Sequence, residues 1–139
     1  MNPEKLLEQA LEARNRAYAP YSHFRVGAAL LGDDGSLHLG CNIENAAYGP
    51  TNCAERTALF RAIADGNPPR SFQAIAIIGD TEAPIAPCGV CRQVLLELCR
   101  PDMPVIMGNL QGEIVVMTVS ELLPAAFTPN DVQQQEGKQ

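Results

Sequence analysis

Five consecutive apolar residues, Ala74-Ile75-Ala76-Ile77-Ile78, stop abruptly at Gly79-Asp80. The run is far shorter than the roughly 20 residues of a membrane span. It also lacks the polar alternation of a strand with one face in water, so it reads as a strand covered on both sides. A chain that contains such a strand must supply helices to both faces of a sheet.

The rest of the chain offers them. Asn2, Pro3 and Glu4 read as an N-cap, a first-turn proline and a first-turn acid, and Leu7, Ala10, Leu11, Arg14, Ala17 and Tyr18 follow at helical spacing up to Pro20. Residues 24–31 and 37–43 are extended and apolar around the turn cluster Gly32-Asp33-Asp34-Gly35-Ser36, which predicts a β-hairpin. Helical periodicity returns over 52–64, closed by Gly66 and Pro68, and again over 90–99, closed by Arg100 and Pro101. Residues 105–107 and 114–117 read as two more strands, and 120–123 as one helical turn. The order α-β-β-α-β-α-β-β predicts a five-stranded sheet sandwiched between helices, an α/β fold. Residues 1–129 are expected to form one domain, and the polar stretch 130–139 a flexible tail.

Composition narrows the partners. With 139 residues and 46% apolar content, the chain has room for a single core. Its net charge of −6 repels nucleic acid and anionic membranes, leaving small neutral or cationic ligands as the better match. Five cysteines behind a charged N-terminal segment suggest a reducing, cytoplasmic setting, so these thiols need a use other than disulfides.

Cys53 in Cys53-Ala54-Glu55, with Cys88 and Cys91 in Pro87-Cys88-Gly89-Val90-Cys91, supplies that use. Both groups fall at predicted helix starts. Residues three apart on a helix differ by about 60° around its axis, so Cys88 and Cys91 can reach one ion. The positive end of each helix dipole favours the thiolate. Soft thiolates point to zinc. Cys99, about two turns beyond Cys91, does not reach easily, whereas Cys41 stays open as a fourth ligand that would close a purely structural site. Glu55, two residues after a ligand, could meet a metal-bound water as general acid/base, or be half of a capping box with Asn52. Cys88 and Cys91 alone could be a redox dithiol, an alternative weaker than metal binding. His23 and His38 lack partners at metal spacing and are expected on the surface. Arg56, next to Glu55, could donate hydrogen bonds to a thiolate sulfur. Asn42 and Glu44, two apart on an extended segment, project to one side and could hold a sugar together.

The cysteine–glutamate constellation is the one used by zinc deaminases. The segments Tyr21-Ser22-His23-Phe24-Arg25-Val26-Gly27-Ala28-Ala29, Gly40-Cys41-Asn42-Ile43-Glu44-Asn45-Ala46, Asn52-Cys53-Ala54-Glu55-Arg56 and Pro87-Cys88-Gly89-Val90-Cys91-Arg92-Gln93 together resemble the small cytidine deaminases, in order and spacing, across nearly the whole chain. The three-cysteine form resembles the homotetrameric branch. The resemblance implies a three-layer α/β/α sandwich on a mixed five-stranded sheet, with one zinc per chain on Cys53, Cys88 and Cys91. It implies Glu55 as proton shuttle, Asn42 and Glu44 on the sugar, Phe24 on the pyrimidine, and Ala54 meeting the base or leaving amine through its backbone. It further implies that neighbouring subunits complete each pocket through Ala46, Tyr48 and Phe127. The implied reaction is hydrolytic deamination of cytidine and 2′-deoxycytidine in pyrimidine salvage. A deaminase for another aminopyrimidine nucleoside, such as blasticidin S, is the rival within the enzyme reading.

Overall fold

The computed structural model describes residues 1–132. The elements are α1 (Pro3–Arg14), β1 (Val26–Gly32), β2 (Leu37–Cys41), α2 (Ala54–Ala64), β3 (Phe72–Gly79), α3 (Gly89–Leu98), β4 (Pro104–Asn109), β5 (Ile114–Thr118) and the short α4 (Val119–Leu122). Five strands lie in the order β2-β1-β3-β4-β5. Only β3 and β4 run parallel, with α3 in their crossover; the other neighbours are antiparallel. The sheet is therefore mixed, and it carries helices on both faces.

The apolar run at its centre divides by the period of two. Ile75 and Ile77 join Leu30, Phe72, Val105 and Met107 beneath α2 and α3, where Ala58, Leu59, Ala62 and Leu95 meet them. Ala74, Ala76 and Ile78 face the other way, with Ala29 and Ile106, against Leu6, Leu7 and Ala10 of α1. Each large apolar side chain buried in this way contributes about 1.5–3 kcal/mol relative to exposure.

The differences from the expected boundaries have local causes. α1 ends at Arg14 rather than running on to Tyr18, because the Tyr18 backbone is bonded elsewhere: its N–H donates to the Asn42 carbonyl at 3.0 Å and its carbonyl accepts from Glu44 N–H at 2.9 Å. β1 starts at Val26 rather than at residue 24, because the Asn42 side chain takes over the ladder there. Its Oδ1 accepts from Val26 N–H at 2.9 Å and its Nδ2 donates to the Phe24 carbonyl at 2.7 Å. His38 is a correction: it is buried, opposite Leu30 in the hairpin register, with its ring edge-on to Phe72 at 6.3 Å. Of the tail expected over 130–139, residues 130–132 are helical and 133–139 lie outside the described residues. Among the described residues, no helix is long and apolar enough to cross a membrane.

Candidate metal centre and adjoining cleft

α2 and α3 begin side by side above the sheet, and the residue that starts each is a cysteine. Cys53 is the N-cap of α2 and Cys88 that of α3, while Cys91 lies within the first turn of α3. Asn52 is not the cap. It pairs with Ile43 in an isolated antiparallel bridge, their N–H groups and carbonyls exchanging bonds at 2.9 Å, and its Nδ2 donates to Thr57 Oγ1. The capping-box alternative for Glu55 therefore has no partner residue at Asn52.

Gly40 of β2 sets the height of this helix start. A Cβ there would stand 2.4 Å from both the Ala54 carbonyl oxygen and the Ala58 nitrogen, so only glycine lets the first turns of α2 rest on the strand.

The Sγ atoms of Cys53, Cys88 and Cys91 all lie within 4.8 Å of one another, and Cys53 Sγ stands 3.9 Å from Cys88 Sγ. Sulfurs that share one tetrahedral zinc at about 2.3 Å stand about 3.8 Å apart, so the donor set fits that ion. Cys41 and Cys99, the two remaining thiols, lie outside this cluster. Cys99 is buried in the core at the end of α3, where burial pushes its thiol up to about 12, and Cys41 is half-buried near the end of β2. With no fourth protein ligand among the described residues, the cluster has the count of an open rather than a closed site.

Arg56 turns back from the first turn of α2 and donates from Nη2 to Cys53 Sγ at 3.3 Å. Its buried Nε has no hydrogen-bond partner among the described residues. Contacts with Cys91 and with the Arg56 guanidinium hold the Cys53 thiol well below its ordinary value. Glu55, one residue earlier, is only 4% exposed, and burial pushes its carboxyl up to about 7. A carboxyl poised there can both accept and release a proton near neutrality.

These groups open on a cleft of about 240 Å³ whose lining includes Cys53, Ala54, Glu55 and Cys88 on one side and Phe24, Asn42, Thr51, Ile85 and Ala86 around the rest. Gly79 makes room for one wall: a Cβ there would lie 2.8 Å from Ile85 Cδ1 and 3.4 Å from the tip of the Phe24 ring. Asn42 is 9% exposed, and its amide is committed at both ends to the backbone of β1, as described above.

Glu44 lines a separate shallow depression, with Tyr21, Ser22, Asn45, Tyr48 and Thr51. Thr51 borders both hollows. Asn42 lines the metal cleft and Glu44 the hollow beside it, the two hollows meeting at Thr51. Ala46 is exposed and lines neither hollow, and Tyr48, with backbone φ of 61°, is 76% exposed. Phe127 is 62% exposed, and its carbonyl is tied to α3 by Gln93 Nε2 at 2.9 Å. Sequence reading had no signal for Thr51, Ile85 or Ala86, which reach the cleft only through the fold.

Residues 1–107 match the family model described as the cytidine and deoxycytidylate deaminase zinc-binding region. Over 132 residues the chain is 55% identical to a cytidine deaminase of Sporosarcina psychrophila, covering 95% of this chain and 96% of that protein. It is 58% identical to one of Halalkalibacterium halodurans, also over 132 residues, covering 95% and 98%. The crystal structure of cytidine deaminase from Burkholderia pseudomallei superposes with a TM-score of 0.90 at 55% identity, covering 91% of this chain and all of that one.

Proposed function

The chain belongs to the cytidine and deoxycytidylate deaminase family, a family of zinc-dependent hydrolases, and from that premise we propose which of its residues carry out the deamination of cytidine and 2′-deoxycytidine. The observation that carries this reading is the buried Glu55 carboxyl in the cleft lined by Cys53 and Cys88, whose sulfurs cluster with that of the buried Cys91.

Cys53, Cys88 and Cys91 hold the zinc, one ion per chain. When bound, zinc supplies Lewis acidity that brings the pKa of water down toward neutrality. Glu55 takes a proton from the attacking water and delivers it to N3 of the base as the new bond forms at C4. It then carries the second proton to the departing amine, so that water and cytidine become uridine and ammonia. Its raised pKa suits a group that must be base and acid in the same turnover. Arg56 offsets the charge of three thiolates by donating to Cys53. The Phe24 ring packs on the pyrimidine, Ala54 presents backbone groups to the base edge, and Asn42 and Glu44 receive the sugar.

Residues 1–129 act as one catalytic domain. The protein works as a homotetramer in which Ala46, Tyr48 and Phe127 of neighbouring copies complete each pocket; their exposure outside the metal cleft supports that reading. The acidic balance argues against a nucleic-acid substrate, and five free thiols favour a cytoplasmic setting.

Glu55→Gln tests the assignment. Loss of the proton shuttle is expected to lower kcat for cytidine about 10³-fold or more, with zinc content and fold unchanged. Turnover near the parent rate by a zinc-loaded variant would overturn it.

A further inference from the structure

The loop between α1 and β1 contains a side chain whose bonds reach both halves of the site. Ser22 Oγ donates to Glu44 Oε2 and accepts from Phe24 N–H at 3.0 Å. The other Glu44 oxygen, Oε1, accepts from Tyr21 N–H at 3.0 Å and from Ser22 N–H at 3.1 Å. His23, between Ser22 and Phe24, sits at φ 58°, in the left-handed region that is uncommon for non-glycine residues but that histidine enters more readily than most. Its N–H donates to the Ala19 carbonyl at 3.0 Å, and the resulting turn brings Phe24 N–H back onto the Ser22 hydroxyl.

A hydroxyl has one proton to donate and two lone pairs. In Ser22 the proton is spent on a carboxylate and a lone pair on the backbone that carries an aromatic ring. Phe24 lines the metal cleft, whereas Glu44 and Ser22 line the neighbouring hollow. The Ser22 side chain is thus a direct hydrogen-bonded link between them, and Glu44 itself is an unbranched, rotatable chain that water could pull away. Its bonds from Ser22 and Tyr21 lower the carboxyl from its ordinary value, as expected for a carboxylate held by several donors.

We propose that Ser22 is a positioning residue: it orients the Glu44 carboxylate toward the sugar hydroxyls and keeps it in register with the Phe24 ring, and so sets affinity for hydroxylated nucleosides. The proposal rests on the reading of Glu44 as the sugar-binding carboxylate. A charge-assisted hydrogen bond is worth more than a neutral one, and part of that difference appears as substrate affinity once the carboxylate is released.

The test compares Ser22→Ala, Ser22→Thr and Glu44→Gln on cytidine and on 2′,3′-dideoxycytidine, which offers Glu44 neither ring hydroxyl. Ser22→Ala is expected to raise KM for cytidine about five- to tenfold, with kcat changed less than about twofold and KM for the dideoxy substrate nearly unchanged. Ser22→Thr, which keeps the hydroxyl, restores KM for cytidine. Zinc content and thermal unfolding of each variant establish that the site is intact. An unchanged KM for cytidine in Ser22→Ala overturns the proposal. So does an equal rise for both substrates, which would make Ser22 a loop-folding residue only. Glu44→Gln separates the two levels of inference: if it still distinguishes cytidine from the dideoxy compound as the parent does, Glu44 is not the sugar ligand. If it loses that distinction while Ser22→Ala keeps it, Glu44 binds sugar without help from Ser22.

Discussion

Two pairs of helix starts in this molecule are built differently. α1 and α4 are capped as stability alone would demand. Asn2 accepts from Glu4 and Lys5 N–H, and Thr118 forms a reciprocal capping box with Glu121. α2 and α3 begin at cysteines whose side chains make no capping bond among the described residues. A cysteine is not among the residues that favour an N-cap, so the latter pair forgoes about 1 kcal/mol per helix. What it gains is two thiols, at the positive ends of two dipoles, facing each other across 3.9 Å. The same chain position therefore serves either to finish a helix or to equip a site, and the structure separates these uses by element.

The largest effect is expected of Cys53→Ser, which puts a good capping residue where a ligand stands. It is expected to leave α2 folded by circular dichroism while bound zinc falls well below one per chain and kcat/KM drops about 10³-fold or more. Full zinc and activity in that variant would make Cys53 an ordinary cap after all.

The converse change is smaller. Asn2→Ala removes the cap of α1 and is expected to cost about 1 kcal/mol, read as a thermal shift of a few degrees, with KM and kcat untouched. A kinetic effect would mean that α1 is coupled to the site and the two classes of helix start are not separate.

The smallest effect depends on pH. Donors on Thr118 hold the Glu121 carboxyl below its ordinary value of 4.5. A carboxyl depressed in the folded state stabilises above its unfolded value, and that contribution fades as pH falls below 4.5 and through the folded value. Glu121→Gln should therefore lower stability slightly at neutral pH and flatten its decline between pH 4.5 and more acidic conditions, measured by urea unfolding. Parallel curves for the two proteins would remove the charge from the account of α4.

The α1 start was legible because Asn2-Pro3-Glu4 is a local signal whose every part acts within one turn. The helical turn was legible over 120–123, but the Thr118–Glu121 box went unread because the turn begins at Val119, one residue earlier than expected, which makes Thr118 its cap. Cys88 and Cys91 were legible as a pair because helical geometry ties residue spacing to direction, whereas Cys53 and Glu55 joined them through the resemblance to the zinc deaminases. The capping-box alternative at Asn52 stayed open in the sequence because its partner, Ile43, is distant and pairing between separate segments leaves no local mark. His38 was expected outside for the same reason: the register that buries it belongs to the folded hairpin. Ile85 and Thr51 reach the cleft through loops whose course no period encodes.

The seating of α2 on Gly40 has a consequence for the life of the chain before it is an enzyme. During synthesis Cys88 and Cys91 are neighbours by covalent spacing alone, and a two-thiol chelate exists as soon as one helical turn forms. Cys53 lies 35 residues before Cys88, and its sulfur arrives only when α2 has settled on β2 and the sheet is in register. The complete donor set is thus a report that the tertiary fold is finished. Before folding, only Cys88 and Cys91 are held together by local spacing, so the full three-sulfur donor set depends on the fold.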